Sequence, residues 1–93
     1  MRRLIKRVYL EADSPRRAFY ELTLEEITDG YLVRKRSGAS DKVLHRECWF
    51  RERFEEAEKL FERIVRKKTT PGRKRTYRPV PEGKAPAQLK LPL

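Results

Sequence analysis

Cysteine is nearly absent from this chain. Cys48 is the only one in 93 residues, so no intrachain disulfide can form and a cysteine-based zinc site is excluded. Histidine is equally scarce. His45 stands alone, and no group of carboxylates has the spacing of a metal site, so neither a metal nor another cofactor is expected. Long apolar runs are missing too. Nothing approaches the roughly 20 apolar residues of a membrane-spanning helix, and MRRLIKRVYLEADS lacks the apolar core of a secretory signal. The expectation is a cytoplasmic, reducing setting with no membrane partner. Apolar residues make up only 38%, enough for one small domain.

Acid is what the C-terminal third lacks. Between Arg66 and Leu93 nine Lys and Arg accompany a single acid, Glu82, giving a local +8 out of a net +10. The first 65 residues are therefore nearly balanced. Such asymmetry points to a polyanionic partner, most often nucleic acid. The competing reading is a solvated tail that keeps the chain soluble.

The strongest periodic signal is WFRERFEEAEKLFERIVRKK, residues 49–68. Phe54, Ala57, Leu60, Phe61, Ile64 and Val65 recur at steps of three and four, which lays them on one stripe of a helix expected near residues 51–67. Glu52, Glu55 and Glu56 come first and Arg63, Arg66, Lys67 and Lys68 last, each sign at the end its dipole favours. No Ser, Thr, Asp or Asn is placed to cap its start. Thr69-Thr70-Pro71-Gly72 stops it.

That stripe needs a cover, and the residues before it alternate as strands do. Strands are expected near residues 3–10, 17–26, 31–36 and 42–49. In the first, Leu4, Val8 and Leu10 share a face with Lys6. In the second, Ala18, Tyr20, Leu22 and Leu24 oppose Phe19, Glu21, Thr23 and Glu25. In the last, Leu44, Cys48 and Phe50 share a face interrupted by Arg46, opposite Val43, His45, Glu47 and Trp49; Cys48 reads as a small core residue. Asp13-Ser14-Pro15, Thr28-Asp29-Gly30 and Ser37 to Asp41 supply the turns, with Asp29-Gly30 a hairpin signal. The fold class is thus α+β: a four-stranded antiparallel sheet packed by one long helix. The domain occupies residues 1–70. Residues 71–93 hold five of the six prolines and form a basic, extended arm.

The phrases FYELTLEEITDGYLVRKRSG and FEEAEKLFERIVRKKTTPGRKRTY, in that order, resemble the WGR domain of poly(ADP-ribose) polymerases. The resemblance covers residues 17–77 and rests on Phe19, Tyr20 and Leu22, on Tyr31-Leu32-Val33, on Gly38, on Glu55-Glu56-Ala57 with Phe61, and on Lys67, Lys68, Thr69 and the late Tyr77. It implies an α+β module that binds nucleic acid, with DNA favoured over RNA. Where the family carries its Trp-Gly-Arg signature, this chain has Arg36-Ser37-Gly38 in one ungapped placement, and a shift of one residue sets Gly38 on the family glycine with Ser37 at the Trp position. In DNA-binding family members that Trp packs on a terminal sugar and the Arg holds the backbone; neither residue stands here.

Candidate binding residues follow from charge. Arg34, Lys35 and Arg36 precede a Ser/Gly turn, where a phosphate needs cations and little else; equally, they read as a charged edge strand that discourages aggregation. Arg73, Lys74, Arg75 and Arg78 surround Tyr77 within six residues. The cations suit a nucleic-acid backbone, and Tyr77 either stacks on a base or anchors the arm to the domain. His45 and Glu47 have no nucleophile or glycine-rich cradle beside them, so no enzyme is expected. Trp49 reads as a packing residue. The resulting expectation is a non-enzymatic nucleic-acid-binding domain that reads backbone phosphates with little sequence preference. The alternative is an adaptor that docks an acidic or catalytic protein through its arm or an open sheet edge.

Overall fold

A computed structural model describes residues 2–12, 15–71 and 76–81 of the chain. Five strands and one helix follow in the order β1 (Arg2–Ala12), β2 (Ala18–Ile27), β3 (Gly30–Ala39), β4 (Lys42–Arg51), α1 (Phe54–Thr69) and β5 (Tyr77–Pro79). Every strand pairing is antiparallel, and the spatial order is β4-β3-β2-β1-β5. The α+β class and the four alternating segments are as expected. The sheet, however, has five strands rather than four. Its last strand comes from beyond residue 70 and joins the outer edge of β1, with Leu10 opposite Pro79 and Ala12 opposite Tyr77.

β2 is the central strand, and its alternation is the clearest in the chain. Tyr20, Leu22 and Leu24 project toward α1, where Leu10, Val33, Ala57, Leu60 and Phe61 complete the main core. The helix meets the sheet through the stripe its sequence shows. Ala57, Leu60 and Phe61 are buried, and Ile64 and Val65 are partly so. Lys6 on β1 fastens it from the flank, with its Nζ 2.9 Å from Glu58 and 3.0 Å from Glu62. Those two carboxylates, Glu58 foremost, hold the Lys6 pKa above its ordinary value.

Two bulges reassign faces that simple alternation had set. Between Leu4 and Lys6 the β1 register shifts, so Leu4 leaves the face of Val8 and Leu10 and lies 55% exposed. A second shift, opposite Ser37 and Gly38, makes Leu44 the extra residue of β4. Beyond it Trp49 turns toward α1 and packs on the main core, while Cys48 is exposed. The expected core role of Cys48 is thus corrected. β4 is an edge strand, and its face away from the helix has nothing described packed over Cys48 and Phe50.

The turns are tighter than the sequence suggests. β3 runs through Ser37 and Gly38 to Ala39, leaving Ser40 and Asp41 as a two-residue loop, both at positive φ. Gly38 is required for close approach: a Cβ there would lie 1.8 Å from the Lys42 carbonyl oxygen.

The face away from α1 is held by charge. Glu21 is only 1% exposed; it accepts from Arg36 Nε at 2.8 Å and from Arg7 Nε on the other neighbouring strand. Beside this cluster Tyr9 stacks on Phe19, ring centroids 5.8 Å apart, with Val43 and Val80 packed around them.

Candidate nucleic-acid interface

Where a cation stands in this sheet decides whether it is free to meet a ligand. Alternation sends Arg34 and Arg36 to the helix-free face and Lys35 to the helix face. Each already has a carboxylate: Arg34 Nη1 lies 3.3 Å from Glu25, Lys35 Nζ 3.1 Å from Glu47, and Arg36 is bound to Glu21. Lys35 Nζ also sits 5.5 Å from the centroid of the Tyr20 ring. The triplet is therefore built into the sheet, and a phosphate would have to displace an acid to reach it.

Tyr77 is buried and meets Tyr20 edge-on at 5.8 Å, the anchoring role weighed for it above. Lys68 Nζ lies 4.9 Å from the Tyr20 ring centroid and 5.9 Å from that of Tyr77, a cation bridging two aromatic faces. Burial, with smaller contributions from Glu47 and Tyr77, pushes the Tyr20 pKa up to about 12. Arg78 is exposed, opposite Glu11 of β1. Arg73, Lys74 and Arg75 lie outside the described residues.

The topology then assembles a group that sequence order keeps apart. The end where β1 and β3 finish carries the β1–β2 turn, with Arg16 and Arg17, and the β3–β4 turn, followed by Lys42. Ser40 ties the two turns together, its N–H donating to the Arg16 carbonyl at 3.0 Å and its hydroxyl at 3.1 Å. The helix ends there as well. Phe54, at its start, packs on Tyr31 at the opposite end of β3, whereas Lys68 reaches Tyr20 and Tyr77. Arg66 and Lys67 consequently join Arg16, Arg17 and Lys42. All five are exposed, and no carboxylate among the described residues pairs with any of them. At the other end Arg2 and Arg3 are paired with Glu25 and Glu26, and Arg51 and Arg53 stand there without a carboxylate partner among the described residues.

Beside Arg16 lies a shallow hollow of about 150 Å³, lined also by Ser37, Leu44, His45 and Tyr77 among others. His45 thus faces an arginine, a hydroxyl and a phenol. Among the described residues no His, Cys, Asp or Glu group is arranged to hold a metal ion. No helix is long and apolar enough to cross a membrane, again among the described residues. Of these five cations, the sequence marked Arg66 and Lys67 as helix-end charges and as the start of the basic C-terminal third, and did not single out the rest. Their gathering depends on which turns become neighbours.

No protein-family model matches the chain, and no curated protein or solved structure gives a match.

Proposed function

We propose that this chain is a small, non-enzymatic nucleic-acid-binding domain of the WGR kind, acting in the cytoplasm and gripping backbone phosphates with little sequence preference. The observation that carries the reading is the convergence of Arg16, Arg17, Lys42, Arg66 and Lys67 at one end without acidic partners. Pro71 and Thr76, which bracket the Arg73-Lys74-Arg75 run in sequence, flank the helix end and β5 at that same end. Unpaired cations release counterions when they meet phosphate, whereas paired ones must first give up a partner. Arg34, Lys35 and Arg36 accordingly contribute less than the unpaired group, and Arg78 extends it along β5. DNA is the favoured polymer on the resemblance alone.

Titration of labelled single-stranded DNA, duplex DNA and RNA at several salt concentrations tests this. The expected result is affinity that falls steeply with salt on at least one polymer. Arg66→Gln/Lys67→Gln and Arg73→Gln/Lys74→Gln/Arg75→Gln should each flatten the slope, by about 0.9 per lost contact on duplex DNA and about 0.7 on single strands. Unchanged affinity and slope in both variants, or no binding of any polymer at low salt, would refute the reading. The adaptor reading then takes its place, supported by the open outer edge of β4.

A further inference from the structure

β4 is the last strand of the sheet on one side, and along its ten residues no described residue pairs with its outer edge. Such an edge presents a row of unpaired N–H and C=O groups. Natural edges are blunted by bulges, charges or brevity; on β4 the bulge at Leu44 interrupts the first part, and the rest carries Arg46, Glu47 and Arg51 but no bulge. From His45 to Arg51 the strand pairs regularly with β3. Its side chains are also unusual for a solvent edge: Phe50 is 44% exposed, Leu44 57%, and Cys48 is exposed between them.

We infer that this edge pairs with the same edge of a second copy, making one continuous antiparallel sheet across a two-fold axis centred on Cys48. The register follows from charge. A two-fold perpendicular to the sheet places residues of the same face opposite one another, so the centre must fall on a residue. Centring on Arg46 opposes two arginines, and centring on Glu47 opposes two glutamates, each a destabilising like-charge pair. Centring on Trp49 shortens the pairing to residues 47–51. Centring on Cys48 pairs the whole regular stretch from 45 to 51 without directly opposed like charges on rigid neighbours. It sets Arg46 against the exposed ring of Phe50 of the second copy, where a guanidinium and an aromatic face attract. His45 meets Arg51, and Glu47, already held by Lys35, meets Trp49.

A net charge of +10 does not oppose this arrangement. Arg16, Arg17, Lys42, Arg66 and Lys67 sit at one end of the sheet, and an antiparallel two-fold points those two ends in opposite directions. The dimer would carry two nucleic-acid grips facing apart, able to engage two segments at once and to gain avidity when one strand reaches both. That consequence rests on the proposed function; the pairing itself does not.

Sedimentation equilibrium of the full chain, without nucleic acid, tests the pairing. A reversible dimer is expected. Cys48→Lys places two ammonium groups face to face at the centre without touching the core, and should weaken the dimer about 10-fold or more. Opposed residues of antiparallel strands lie about 4.5–5.5 Å apart between Cα atoms, within disulfide reach. Diamide should therefore cross-link the native chain through Cys48. The variant Cys48→Ser/Glu47→Cys should cross-link poorly, since residue 47 lies opposite residue 49. A chain that stays monomeric at every soluble concentration overturns the inference and leaves the edge to an extended segment of another protein. A dimer indifferent to Cys48→Lys, or one cross-linked equally through residue 47, overturns it as well. Nucleic-acid titration of Cys48→Lys keeps the two proposals apart. Loss of dimer with retained binding per chain leaves the proposed function standing.

Discussion

Glu21 shows how much one residue can hold on a face that no helix covers. Its carboxylate takes hydrogen bonds from both Arg7 and Arg36, and their long side chains keep it from water. Arg7 Nη2 is itself buried without a hydrogen bond, so this cluster has no spare acceptor. Glu21→Ala would leave two guanidinium groups beside each other. A loss on the order of 3–5 kcal/mol is expected, measured by denaturant unfolding. Tyr9 and Tyr20 give a second prediction at this scale. Burial is the main cause that raises both pKa values from 10.0 to about 12. Folding therefore favours the protonated phenols. That contribution is complete below about pH 10 and disappears as pH rises through about 12. Phenolate absorbance should show two tyrosines ionising late, together with loss of structure on that alkaline limb.

At the scale of elements, α1 is well matched to the sheet and poorly started. Arg53 occupies its N-cap in the extended conformation such a position needs, at φ −109° and ψ 143°, but makes no capping hydrogen bond. Arg53→Asp supplies the missing acceptor and a charge that suits the helix dipole. The variant should be more stable by about 1 kcal/mol, seen as a higher melting temperature. Phe61 is 2% exposed at the centre of the buried stripe. Phe61→Ala should cost on the order of 3–5 kcal/mol, and a melting temperature within a degree or two of the original would show that the stripe is not the core contact described. β5 is the opposite case, three residues long and held chiefly by Tyr77 and its pairing with β1.

For the molecule as a whole, that short strand changes what truncation does. A chain ending at Thr70 would lose six of the nine basic residues found from Arg66 onward. It would also lose Tyr77, uncover Tyr20 and open the edge of β1. Destabilisation on the order of 3 kcal/mol is expected. Far-ultraviolet circular dichroism with thermal melting should show it, whereas a chain ending at Pro81 keeps β5 and should melt near the full-length value. Truncation at Thr70 would consequently confuse lost binding with lost fold, and the Arg73-Lys74-Arg75 neutralisation separates the two.

Sequence by itself determined the order of the first four strands and the helix, the faces of β2 and the buried stripe of α1, but not β5. In each the signal is local: a period of two or of 3.6 repeats within a single element, and the residues that set it are those that are buried. Only the tertiary structure decided the rest. The bulges at Ile5 and Leu44 exchange the faces of the residues beyond them, since one extra residue inverts a strand's alternation; that is why Leu4 and Cys48 are exposed. The pairing of Arg34 and Arg36 with Glu25 and Glu21 depends on the β2–β3 register, which no stretch of either strand reveals alone. The joining of Arg16 and Lys42 to Arg66 and Lys67 depends on strand order and on the direction of the helix. Attraction and repulsion between charges act across space, and only the folded chain sets those distances.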